Sequence, residues 1–264
     1  MKLRALIFDV DGTLADTEEA HRCAFNEAFR QHGLDWNWSR PSYAHLLRIA
    51  GGKERLGAYI DSLPLAPDEH RALAARIPAI HRSKTDIYAS MVAAGQVCLR
   101  DGVERLIDEA SRANVQLAIA STTTLANIET LLRTTLGRCS LQRFAVIGAG
   151  DQVRHKKPAP EIYRFVLREL DRCVGECVAI EDSCNGLTAA KRAGLYTVVT
   201  PSYWTRDEDF SAADMVLPSL GSHAKPLPPR AAALVGHSML GVREIGKQLD
   251  TRMSATQRRP QGES

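Results

Sequence analysis

A chain of 264 residues, 44% hydrophobic and 25% charged, is long enough for one large domain or, better, a core with an accessory domain. No run approaches the roughly 20 apolar residues of a membrane helix, and the first residues pass straight into a strand, so neither a membrane span nor a signal or transit peptide is expected. The net charge of +3 sits in the tail, where residues 223–264 hold seven Lys/Arg against three Asp/Glu, and without a basic stripe interleaved with aromatics no nucleic-acid partner is expected.

Leu3–Phe8 reads as a short buried strand closed by a turn signal. It runs into "DVDGT", residues 9–13. Asp9 and Asp11, at i and i+2, leave a strand on one face and converge just past its carboxyl end, where open parallel sheets bind their ligands. Two carboxylates held together call for a cation between them or a proton on one. An Asp-Gly turn accounts for Gly12 and one aspartate, but not for two acids sharing a face.

Asp16 with Glu19 spells a capping box for a helix to about Gln31, with Ala20, Ala24, Phe25, Ala28 and Phe29 as its apolar stripe and Gly33 as C-cap. Residues 34–95 show helical signals and turns but no strand. From Val115 strands and helices alternate. Strands are expected at Val115–Ala120, Phe144–Gly148, Cys177–Ile180, Leu195–Thr200 and Asp214–Leu217. Helices are expected to about Leu136, from about Pro160 to Leu170, and to Ala193, where Gly194 caps.

The expected fold is therefore α/β: a doubly wound parallel, Rossmann-like sheet with an inserted all-helical cap. Residues 1–15 and 98–222 form the core and 16–97 the cap, with crossings near 15–17 and 96–100. Residues 223–264 are a tail, with a possible helix over Ala231–Leu249 and a disordered polar end at 254–264. Cys23, Cys98, Cys139, Cys173, Cys177 and Cys184 form no CxxC pair, which suits reduced thiols in a cytoplasmic protein.

The later strands end in residues suited to a phosphate and a hard cation. "STTT", Ser121 to Thr124, opens a helix with hydroxyls and free N–H groups, although a plain N-cap needs only one of them. Lys157 precedes Pro158 and could neutralise charge on a transferring phosphoryl group. "AIEDS" closes a strand with Glu181 and Asp182, oxygen ligands that suit Mg²⁺.

With these four motifs in order, residues 1–222 resemble the haloacid dehalogenase-like phosphohydrolases. The resemblance implies Asp9 as nucleophile, Asp11 as general acid/base, and Thr122 and Lys157 on the phosphate. Asp9, the Asp11 carbonyl and Asp182 would hold Mg²⁺, with Glu181 in support. A carboxylate attacking phosphorus would split one hard displacement into two.

The cap bears on the substrate. Glu18 and His21 share a helix face close to the first hinge. "IAGGKERL" is not a P-loop, because Glu54 stands where Ser/Thr should follow the lysine, but Gly51, Gly52, Lys53 and Arg55 could still hold an anion. His81, Arg82 and Lys84 add charge, and Arg100 lies at the second hinge. That is more cation than one phosphate needs, and it points to a second anionic group whose binding draws the cap closed. At this level "GGKER", "HRSKT", "STTTLAN" and "KKPAPEIYR" resemble the CbbY branch, related to β-phosphoglucomutase. That resemblance implies dephosphorylation of xylulose-1,5-bisphosphate to xylulose-5-phosphate in the Calvin cycle. Carried over by position, Glu18, Gly51, Gly52, Lys53, Glu54, Arg55, His81, Arg82, Ser83, Lys84, Ser121, Thr122, Thr123, Thr124, Leu125, Ala126 and Asn127 would contact the sugar phosphate, and His21, Arg100 and Asn185 are further candidates for binding the substrate. A mutase would share every core residue, a phosphoglycolate phosphatase would not need so basic a cap, and a dehalogenase would not need the metal acids. A non-enzymatic phosphosugar-binding regulator should have lost some of Asp9, Asp11, Lys157 and Asp182. A monomer fits a cap that must swing.

Overall fold

A computed structural model describes residues 2–257, with side chains through residue 251. The chain runs β1 (Ala5–Phe8), α1 (Glu18–Gln31), α2 (Arg40–Leu46), α3 (Gly52–Asp61), α4 (Pro67–Ala93), α5 (Val103–Arg112), β2 (Gln116–Ala120) and α6 (Leu125–Leu136). It continues through β3 (Phe144–Gly148), α7 (Glu161–Leu170), β4 (Cys177–Glu181), α8 (Cys184–Arg192), β5 (Tyr196–Val199), β6 (Met215–Val216), α9 (Pro229–Val235) and α10 (Val242–Gln257).

The six strands are parallel in the order β3-β2-β1-β4-β5-β6. β1 pairs on both flanks and all four of its residues are buried, which is why it reads as an unbroken apolar run rather than an alternation. Leu6 and Phe8 face a cluster with Leu106 and Ile107 of α5 and Ile128 and Leu131 of α6. Ala5 and Ile7 face the opposite cluster, with Tyr163 and Val166 of α7 and Ala189 of α8. Winding reverses at β1, so the crevice at its carboxyl end is the switch point where such sheets bind ligands.

Helices α1–α4 are inserted between β1 and α5 and have a core of their own. Phe25, Phe29, Trp38, Tyr43, Leu56 and Ile80 are among its buried side chains. Trp204, from the loop after β5, packs against this cluster and meets Tyr43 edge-on at 5.5 Å.

Three local expectations change. No Asp16–Glu19 capping box forms: Thr17 is the N-cap of α1, its hydroxyl donates to Asp11, and Glu19 is drawn to Arg22 at 2.8 Å and Arg40 at 3.2 Å. Helix α5 was not foreseen, although Val103, Leu106, Ile107 and Ala110 have amphipathic spacing and are all buried. The tail helix is two helices, broken after Gly236 at φ +77°, and α10 runs on to Gln257. The rest of the expected disordered end, 258–264, lies outside the described residues. Leu240, Val242, Ile245 and Leu249 are buried in the cluster that holds Leu106, and Arg105 of α5 donates to the Leu220, Gly221 and Leu240 carbonyls. No described helix is long and apolar enough to cross a membrane.

Candidate active site

The carboxyl ends of β1, β2 and β4 and the segment after β3 open into one cleft facing α1, α3 and α4. At its floor the Asp9 N–H donates to Ile180 O at 3.0 Å, which fixes where the loop carrying Asp9 and Asp11 leaves the sheet. Gly12 adopts φ +82°, and a Cβ there would lie 2.1 Å from Asp182 Oδ2, so the turn that brings Asp9 and Asp11 beside Asp182 requires glycine.

Lys157 Nζ donates to Asp9 Oδ1 and to Glu181 Oε1, both at 2.6 Å, and Tyr163 donates to the same Glu181 oxygen at 2.5 Å. Burial would lower the lysine, but the two carboxylates outweigh it and raise Lys157 above its usual range, so it stays charged. Burial, with the Glu181 and Asp11 charges, pushes Asp9 up to about 7 against the pull of Lys157. Burial also lifts Asp182 well above the carboxylate range, with Asp9 and Glu181 adding to it. One oxygen each from Asp9, Glu181 and Asp182 lies within 4.8 Å of the others. One lysine does not neutralise so many buried acids, and a hard divalent cation would relieve the remaining repulsion. The all-oxygen donor set fits Mg²⁺.

Asp11 points elsewhere. It accepts from the Thr17 hydroxyl at 2.6 Å and pairs with His21 Nε2 at 3.0 Å. Lys84 Nζ lies 2.7 Å from His21 Nδ1. Burial and Lys84 push His21 below its usual range, so its ring is neutral. The tautomer follows from its partners: Lys84 donates to Nδ1, leaving Nε2–H to donate to Asp11. Burial works against the Asp11 charge, but His21, the Thr17 hydroxyl and Lys84 hold its carboxyl down at about 2.

Of the expected contacts, Glu18, His21, Gly51, Gly52, Lys53, Arg55, His81, Lys84, Thr122, Thr123, Thr124, Asn127 and Asn185 border the cleft with Asp9, Asp11, Lys157 and Asp182. Arg55 is buried and its guanidinium is spent on Tyr43 Oη, Leu46 O and Ile49 O. Asn127 is buried and its Oδ1 has no partner among the described residues. Asn185 donates to Arg48 O across the gap to the helical insert at 2.9 Å.

The others are placed outside it. Arg82 is exposed, and Ser83 pairs with His32 at 2.9 Å. Leu125 and Ala126 lie on the exposed first turn of α6, and Ser121 is buried, accepting the Thr123 N–H. Arg100 donates to the backbone carbonyls of Gly12, Thr200 and Pro201 and pairs with Asp16, so it braces the hinge. Glu54 pairs with Lys156. Glu181, wholly buried, stands against Lys157.

Several residues here were not foreseen. Lys156 borders the cleft, and the doubled lysine of "KKP" was its signal. Tyr43 donates to Glu18 at 2.7 Å. Thr205 donates to Asp182 Oδ2 at 3.2 Å, and Glu208 accepts the Cys184 N–H. Thr205 and Glu208 lie in a loop with no motif, so only the fold brings them to the site.

A haloacid dehalogenase-like hydrolase family model matches residues 3–194. Protein CbbY from Rhodobacter capsulatus is 49% identical over 224 residues, covering 85% of this chain and 96% of that protein. The crystal structure of CbbY from Rhodobacter sphaeroides in complex with phosphate is 48% identical, covers 82% of this chain and 94% of its own, and superposes with a TM-score of 0.76. A mutant of that protein in complex with xylulose-(1,5)-bisphosphate is 46% identical, covers 84% of this chain and 98% of its own, and gives 0.77.

Proposed function

This chain belongs to the haloacid dehalogenase-like hydrolases, within them to the CbbY proteins, and we propose that it is the Mg²⁺-dependent phosphatase that converts xylulose-1,5-bisphosphate to xylulose-5-phosphate through an aspartyl-phosphate. That it is a phosphatase follows from the family; the substrate, the metal and the covalent route are this proposal. The observation that carries it is Asp9, bound by Lys157 among buried acids at the carboxyl end of β1, with Asp11 2.6 Å and 3.0 Å from its own two donors. The xylulose bisphosphate bound to the CbbY mutant supports the choice of substrate.

Asp9 and Asp182 carboxylates and the Asp11 carbonyl would hold the metal, with Glu181 behind them. Mg²⁺ supplies charge neutralisation between the Asp9 carboxylate and the incoming phosphate. Asp9 attacks phosphorus in line, and the sugar oxygen leaves with a proton from Asp11. Lys157 balances the charge on the transferred phosphoryl group. A water then attacks the aspartyl-phosphate, with Asp11 as its base, and phosphate is released. In the resting site the Thr17 and His21 hydrogen bonds favour the carboxylate form of Asp11. A phosphate dianion arriving beside it raises its proton affinity, so the acid form belongs to the complex. Asn127 Oδ1 is an open acceptor for a sugar hydroxyl.

The deciding experiment measures phosphate release with Mg²⁺ from xylulose-1,5-bisphosphate, ribulose-1,5-bisphosphate, β-glucose-1-phosphate and phosphoglycolate. Clear preference for the xylulose compound is expected. Conversion of β-glucose-1-phosphate to glucose-6-phosphate, with little release from any, would assign a mutase instead.

A further inference from the structure

The N-cap of helix α3 is Gly51, which has φ +93° and no side chain to cap the helix. The carboxylate of Glu54, three residues on, folds back over that end. A Cβ on Gly51 would lie 2.1 Å from Glu54 Oε2 and 2.8 Å from Lys156 Nζ, so the ion pair sits directly above the first turn. Lys156 Nζ holds both Glu54 oxygens, at 2.9 and 3.1 Å, and reaches from the core segment after β3 across to the helical insert. His81 Nε2 lies on the same turn, 2.6 Å from where a Gly52 Cβ would stand. Burial above all, and then the charges of Lys84, Lys53 and Lys156, press His81 down to about 4. Despite burial, Lys156 and Glu54's own N–H keep the Glu54 carboxyl below its usual range.

A helix start with free N–H groups, two lysines and a neutral histidine attracts an anion. In this structure the anion is part of the chain. We propose that Glu54 is a tethered stand-in for the substrate's distal phosphate: it covers the α3 N-terminus and Lys156 until the bisphosphate displaces it. This rests on the bisphosphatase reading above and adds a determinant of specificity to it. The Glu54 side chain is 46% exposed, so it can swing into solvent at little cost. Its single charge, present at a high effective concentration, competes well with other singly charged groups. A phosphate dianion brings more charge and more acceptor oxygens, and prevails. The device therefore favours substrates with a second phosphate over those with a weaker handle, and Lys156 passes from Glu54 to substrate.

The test compares KM and kcat for xylulose-1,5-bisphosphate and xylulose-1-phosphate in wild type, Glu54→Gln, Glu54→Ala and Lys156→Gln. Both Glu54 variants should lower KM for the bisphosphate by about three- to fivefold, the scale of a partly exposed ion pair, with kcat unchanged and the monophosphate KM unmoved. Lys156→Gln should raise KM for the bisphosphate alone. If the Glu54 variants raise KM for both substrates alike, the pair is a closing latch, and the proposal fails. It also fails if they change nothing. A wild-type enzyme that does not distinguish the two substrates overturns the bisphosphatase reading itself, and this inference with it.

Discussion

Lys84 Nζ stands 2.7 Å from His21 Nδ1, with both side chains buried and the His21 ring stacked 3.9 Å from Tyr88. A cation from α4 thereby sets the tautomer of a ring on α1, and the ring in turn donates to Asp11. The acid/base role proposed for Asp11 thus depends on α4 lying against α1.

Removing the ring should slow the proton-transfer steps more than it weakens binding. His21→Ala is expected to lower kcat by about 10²-fold, the lower end for a general acid/base contribution, with a smaller change in KM. His21→Asn, with its shorter amide, should restore little, because it does not span Lys84 and Asp11. A variant with unaltered kcat would remove His21 from the machinery.

Lys84 titrates within reach of ordinary assays. Burial lowers it to about 8, although Asp11 and Glu18 resist, and Arg55 adds to the fall. As pH rises through about 8 the relay loses its terminal charge, so kcat/KM should fall on a basic limb there. Lys84→Gln keeps a donor toward Nδ1 without titrating, and its profile should lack that limb. For stability the sign is the reverse. Between about 8 and 10.5 the unfolded chain still holds a proton that the folded protein has released, so the penalty this group places on folding shrinks as pH climbs through that window. A profile with the same limb in Lys84→Gln would assign it elsewhere.

Asp9→Asn should abolish turnover and yet raise the Tm of the metal-free protein at pH 8. The raised pKa of Asp9 means that its charge, present above about 7, works against the fold. An amide removes that repulsion while Lys157 keeps Glu181. A gain of about 2–5 °C is expected by thermal denaturation. Added Mg²⁺ should stabilise wild type more than the variant, because binding only the native state shifts unfolding by mass action. Turnover near wild type would sink the nucleophile assignment.

Arg100, expected among the substrate-binding residues, gives its donors to backbone carbonyls of the loop after β1 and of the loop after β5. Arg100→Ala should therefore cost about 3 kcal/mol in urea unfolding, since it leaves several sheltered carbonyls without a donor. Its effect on KM should be no larger for a bisphosphate than for a monophosphate. A selective rise for the bisphosphate would return Arg100 to the substrate.

The strands were legible because a parallel sheet buried on both faces leaves unbroken apolar runs, as at Ala5–Phe8 and over the first four residues of β4, 177–180. Their ends were legible because the chemistry sits where the runs stop. Helix α5 carries its period at Val103, Leu106, Ile107 and Ala110, but its N-cap, Gly102, offers no side-chain cap to announce it. The tail was read by composition, which says nothing of Leu240 or Ile245 docking on α5. Within the site, Lys156, Tyr43 and Thr205 find their partners across 102, 25 and 23 residues, and no local pattern records such meetings.

The edge-on contact of Trp204 with Tyr43 bears on how proteins of this architecture can be rebuilt. A graft that exchanged only residues 16–97 for the corresponding helices of a relative would carry away Tyr43 and leave Trp204 and Lys156 behind, facing a surface that did not co-evolve with them. An interchangeable specificity module would need to travel with the segments 156–157 and 200–208, although neither lies within the helices themselves.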